Sequence, residues 1–106
     1  MINVVVTLTY EATHFWKDCD IEEVMFLKLP HRHLFYITCK KEVKKTDREI
    51  EIILLKKNIY NYLVNKYNFN FDGMSCEDIA LVIAQKFNLN YCQVLEDNEN
   101  GAEYIL

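Results

Sequence analysis

The hydrophobic period changes twice along this chain, and that change restricts the folds open to it more than any single residue does. From Ile2 to Tyr10 the residues alternate, with Val4, Val6 and Leu8 on one side of a pleat and Val5, Thr7 and Thr9 on the other. This Val- and Thr-rich stretch predicts a strand. After a loop carrying His14, Cys19 and an acidic turn, alternation resumes from His31 to Val43. It places His31, His33, Phe35 and Ile37 on one face and Arg32, Leu34, Tyr36 and Thr38 on the other. At Ile52 the spacing widens, and Ile52, Leu55, Ile59, Tyr62 and Leu63 form a helical stripe ending near Tyr67. The start of this helix is open: Thr46 and Glu49 have capping-box spacing, while Arg48 to Ile52 also alternates like extended chain. A second helix is predicted from the N-cap Ser75, with Asp78 three residues on and Ile79, Ala80, Ile83, Ala84 and Phe87 on one face. Tyr91 to Glu96 and Ala102 to Leu106 are short strands, with Asn100-Gly101 as the predicted tight turn between them. The order β-β-α-α-β-β predicts an α+β fold, a four-stranded antiparallel sheet with two helices on one face.

With 106 residues the chain holds one core, so residues 1–106 form one domain. No further element is left to cover the sheet face bearing Val5, Leu34 and Tyr36. Another copy of the same chain is the expected cover, and it would also pair the strand edges, which predicts a homo-oligomer. The net charge of −4 and the lack of a basic tail argue against a nucleic-acid partner. No apolar run approaches the roughly 18 residues of a membrane span, and the Met1-Ile2-Asn3-Val4 start lacks signal-peptide features, so a cytoplasmic protein without a membrane partner is expected. Cys19, Cys39, Cys76 and Cys92 form no CxxC pair and are read as free thiols.

All three histidines lie in the first third of the chain. His31 and His33, two apart at the start of a strand, point to the same side. Taken alone, such a pair is more often two ordinary solvent-facing or core histidines. If the first two strands pair as an antiparallel hairpin, His14 arrives beside the start of the second and three imidazoles meet. Three neutral nitrogen ligands suit Zn²⁺ and leave its fourth position open for a ligand to be polarised.

Several segments, in this order, resemble the 6-pyruvoyl-tetrahydropterin synthase and 6-carboxy-tetrahydropterin synthase family. They are Glu11-Ala12-Thr13-His14-Phe15, His31-Arg32-His33 opening a strand, Met74-Ser75-Cys76-Glu77-Asp78-Ile79-Ala80, and Val94-Leu95-Glu96 with Ala102-Glu103-Tyr104. The family pattern is a small-residue-His segment, HGH, a PT-(S/A)-EN-(I/L)-A helix start and a late strand Glu, carried on a tunnelling fold that assembles into oligomeric barrels. The resemblance spans nearly the whole chain. It implies that His14, His31 and His33 ligate zinc, that Glu96 accepts hydrogen bonds from the amino group and ring N–H of a pterin, and that Ser75 and Cys76 line the base pocket. A carboxylate suits such paired donors. Read from the residues alone, Glu96 is equally an exposed acid beside the solvated Asp97 and Glu99, and Ser75 a plain helix cap.

The chain also departs from the family. The family's catalytic Cys, a few residues before HGH, is replaced by Leu27, and Cys19 is the only thiol between His14 and His31. Cys19 serves as the candidate catalytic thiol if the Asp18-to-Pro30 loop folds back. No His follows His33 to act as a separate catalytic base, and the segment that holds the family's Asp is shortened to Asn68-Phe69-Asn70-Phe71-Asp72-Gly73. Arg32 replaces the central Gly, putting a cation beside the site or on the opposite face of the pleat. The resemblance implies a zinc-dependent lyase that eliminates triphosphate from 7,8-dihydroneopterin triphosphate, feeding biopterin-like or queuosine-type deazapurine synthesis. The alternative is a degenerate family member that binds a pterin or purine nucleotide as a sensor or sponge. A third account is a partner-binding module whose contact loop carries Phe15, Trp16 and Met25.

Overall fold

In the computed structural model, which describes residues 1–106, the elements run β1 (Ile2–His14), a 3-10 segment (Glu22–Lys28), β2 (His31–Val43), α1 (Ile52–Tyr67), α2 (Cys76–Phe87), β3 (Tyr91–Glu96) and β4 (Asn100–Ile105). The four strands form one antiparallel sheet in the spatial order β1-β2-β3-β4. Alternation decides which side of it is buried. Leu8, Tyr10 and Ala12 of β1, Phe35, Ile37 and Cys39 of β2, and Cys92 and Val94 of β3 form one buried cluster with Ile59 and Leu63 of α1 and Ile79, Ala80, Ile83 and Ala84 of α2. The opposite face stays open, with Val5 49% exposed and Leu34, Tyr36 and Leu95 part-buried. The molecule is elongated, 51 × 25 × 20 Å, and its radius of gyration is 14.8 Å, against about 13 Å for a compact domain of this length. No helix is long and apolar enough to cross a membrane, and all four cysteines are free.

Two boundaries differ from the sequence expectation, and the start of α1, open in the sequence, is fixed. β1 runs four residues past Tyr10, to His14, because Ala12 and His14 keep facing inward while Phe69 and Phe71 exchange backbone hydrogen bonds with Thr13. Helix α1 begins at Ile52: the Glu51 carboxylate accepts from Leu54 N–H as the cap, and Glu49 instead holds the amides of Lys44 and Lys45. The β3–β4 turn is made by Asp97 and Asn98, both at positive φ, with Glu99 N–H donating to Glu96 O. Asn100 and Gly101 already belong to β4. Gly101 is required there by close approach, since a Cβ would lie 1.8 Å from the Val94 carbonyl oxygen. Helix α2 starts as expected, with Ser75 and Asp78 forming a reciprocal capping box.

Candidate metal centre

Strand register brings the three imidazoles together. His14, the last residue of β1, stands opposite His31, the first of β2, and His33 stands opposite Ala12. All three rings therefore face the helix side of the sheet, at its β1–β2 end. Their centroids lie 4.6 Å (His14 to His31), 5.3 Å (His14 to His33) and 5.0 Å (His31 to His33) apart. One ligand nitrogen from each lies within 4.8 Å of the others. The fully buried Phe35 meets His14 and His33 edge-on and backs the cluster with an apolar ring.

The other nitrogen of each ring is already committed. His14 Nδ1 lies 2.9 Å from the Met74 carbonyl, His31 Nδ1 2.8 Å from the Leu29 carbonyl, and His33 Nδ1 2.7 Å from Asp97 Oδ2. A carbonyl oxygen only accepts, so Nδ1 of His14 and of His31 carries the proton and donates it. Asp97 accepts from His33 Nδ1 and from Leu34 N–H, and these two hydrogen bonds lower its pKa. In a neutral ring, a proton on Nδ1 leaves a lone pair on Nε2. All three Nε2 atoms are buried and have no hydrogen-bond partner. An orphaned buried acceptor costs about 1–3 kcal/mol, and here three converge. A metal cation satisfies them together, and outer-shell acceptors on Nδ1 are the usual means of fixing ligand tautomer and orientation. Burial lowers the His14 pKa against the opposing pull of the Met74 carbonyl and Glu96, which favours the neutral, ligating form. The histidine group can thus hold a metal ion.

A cleft of about 360 Å³ opens beside it, lined by His14, His31, Trp16, Leu27, Glu96 and the start of α2 among others. Alternation along β3 turns Glu96 to the same face as Cys92 and Val94, and register sets it opposite Phe35. Its Oε2 lies 3.0 Å from His14 Nε2 and its Oε1 3.6 Å from His33 Nε2. Cys76, buried at the first turn of α2, has its thiol pushed up to about 12 by burial and by the negative charge of Glu96. It is a protonated donor and not a thiolate nucleophile. Ser75 lines the cleft while its hydroxyl accepts from Asp78 N–H, so capping and pocket lining coexist.

The structure does not bring Cys19 to this site. Cys19 is buried in the loop after β1, its thiol directed at the carbonyls of Ile21 (3.9 Å) and Val24 (3.6 Å), and it does not line the cleft. Arg32 lies on the opposite face of the pleat, paired with Glu11 at 3.4 Å. No Lys or Arg lines the cleft. Sequence reasoning passed over Asp97, which is exposed as expected yet orients His33; only the β2–β3 register reveals that contact. The Met74 and Leu29 carbonyls carry no side-chain signal at all. No model of a known protein family matches this sequence, and no curated protein does.

Proposed function

We propose that this chain is a zinc-dependent protein of the 6-pyruvoyl-/6-carboxy-tetrahydropterin synthase type, acting on 7,8-dihydroneopterin triphosphate with elimination of triphosphate. The observation that carries the reading is the convergence of three buried Nε2 lone pairs whose Nδ1 partners are all acceptors. Such a nitrogen set suits Zn²⁺. When bound, zinc supplies Lewis acidity toward an oxygen of the substrate side chain. Glu96, at the cleft wall, accepts the paired N–H donors of the pterin ring. Ser75 and Cys76 line the ring pocket from the start of α2, and the Cys76 thiol offers a proton there. Cys19 has no part in this scheme, since its thiol faces loop carbonyls. The uncovered sheet face and the free edges of β1 and β4 support a homo-oligomer, read here as the barrel of the tunnelling fold.

One observation favours a second reading. The cleft has no cationic side chain to meet a triphosphate, which suits a binder that retains a pterin or purine without turnover. Incubating zinc-loaded protein with 7,8-dihydroneopterin triphosphate separates the two. The lyase reading predicts triphosphate release that persists in Cys19→Ala and vanishes in His31→Ala. Retention of intact ligand without release supports the binder, and neither retention nor release overturns both.

A further inference from the structure

Glu96 is placed too close to the imidazoles to serve only as an anchor for an organic ligand. Its Oε2 sits 3.0 Å from His14 Nε2 and its Oε1 3.6 Å from His33 Nε2, so both oxygens face the nitrogen cluster. Neither nitrogen has hydrogen-bond geometry toward that carboxylate. With Nδ1 of His14 donating to a carbonyl, its Nε2 presents a lone pair, and lone pairs facing a carboxylate at this range repel each other. A cation between them reverses the sign of that interaction. In a tetrahedral zinc site with bonds of about 2.0–2.1 Å, neighbouring donor atoms lie about 3.3 Å apart. The two observed separations bracket that value.

We infer that Glu96 is the fourth metal ligand in the ligand-free protein, closing a His14, His31, His33 and Glu96 set that a substrate must open. This inference rests on the three-histidine reading above and adds a resident occupant to the position that reading leaves vacant. The carboxylate then has two alternative partners, the metal at rest and the N–H edge of a ring when the cleft is filled. Entry of a metal-binding oxygen requires the exchange from one to the other. Consecutive residues at the end of β3 divide the work, Glu96 facing the cluster and Asp97 holding His33 from outside. Cys76 lines the same cleft from the start of α2.

The test measures zinc affinity by competition with a chromophoric chelator, and the visible absorption of the cobalt(II)-loaded protein, for the unmodified chain, Glu96→Gln and His31→Ala. Glu96→Gln is expected to weaken zinc by at least about tenfold, the low end of what loss of an outer-shell partner costs, and to change the cobalt spectrum. Glu96→Asp keeps the charge but withdraws it by one methylene. It is expected to weaken zinc as well, and carries the test should the Gln variant not fold. If both Glu96 variants match the unmodified chain in affinity and spectrum while His31→Ala loses the metal, Glu96 is not a ligand and the three-histidine reading stands. If the unmodified chain binds neither metal, both fall.

Discussion

Zinc occupancy should raise the melting temperature of this protein by an amount that its size and site together fix. A domain of 106 residues has an unfolding entropy of about 0.22 kcal/mol per kelvin at the midpoint. Free zinc buffered at about 100 times its Kd stabilises the folded state by about 2.7 kcal/mol, provided that the unfolded chain binds it weakly. The three ligands satisfy that condition, because His14 is separated from His31 and His33 by the β1–β2 connection and stands opposite them only when the two strands are in register. The expected shift is about 12 °C. His31→Ala removes one of three donors, and if affinity falls about a hundredfold, the same free zinc leaves about 0.4 kcal/mol, or about 2 °C. Magnesium, which prefers oxygen ligands, should give no shift. Scanning calorimetry at fixed protein concentration, with chelator-buffered zinc, reads all three conditions. An equal shift in the unmodified chain and in His31→Ala, or none in either, would exclude zinc ligation by His31.

Three further outcomes follow from the same geometry. Asp97→Ala frees His33 Nδ1 and is expected to weaken zinc about 10- to 100-fold without changing metal stoichiometry; unchanged affinity in a competition titration would remove Asp97 from the site. The Cys76 thiol, raised from 9.0 to about 12, is about a thousandfold poorer in thiolate at pH 8 than an unperturbed cysteine. Its alkylation by iodoacetamide, followed by mass spectrometry of the Cys76 peptide, should be slower in proportion, and a rate like that of a free thiol would contradict the burial and charge assigned to it. Zinc affinity should fall on acidification below about pH 6.5, as protons compete for the imidazoles. Burial lowers the His14 pKa, so this ring stays neutral further into acid than an exposed histidine does. A Kd that is flat from pH 5 to 8 would argue against histidine ligation.

The elements were largely legible because a change of period is a local property of the chain. Ser75 and Asp78 announced the start of α2, and the capping box forms as those two residue types require. The turn between β3 and β4 was misplaced because Asn100-Gly101 carries the usual hairpin signal. The left-handed positions fall instead to Asp97 and Asn98, and Gly101 serves a close backbone approach that no pattern in the sequence encodes. Similarly, the Val- and Thr-rich alternation stops at Tyr10, and the pairing that accompanies β1 on to His14 comes from the distant segment at Phe69 and Phe71.

The site was legible where it depends on strand alternation and opaque where it depends on pairing between distant segments. His31 and His33 share a face by spacing alone, whereas the arrival of His14 opposite His31 needed the hairpin register. The position of Glu96 against the imidazoles required the β2–β3 register, across the whole helical crossover. Cys19 illustrates the converse. Its sequence neighbourhood allows a loop that folds back, but the thiol turns toward the Ile21 and Val24 carbonyls and the loop keeps it from the cleft.

The proposed function requires one ion among three rings. Crystals of the zinc-loaded protein, measured on both sides of the zinc absorption edge, locate that ion directly. Three-histidine ligation predicts a single anomalous peak per chain, at about 2.0–2.1 Å from Nε2 of His14, His31 and His33, with Nδ1 of each still bonded to Met74, Leu29 and Asp97 respectively. A peak bound elsewhere, or through Nδ1, or no peak in zinc-saturated crystals, would contradict it.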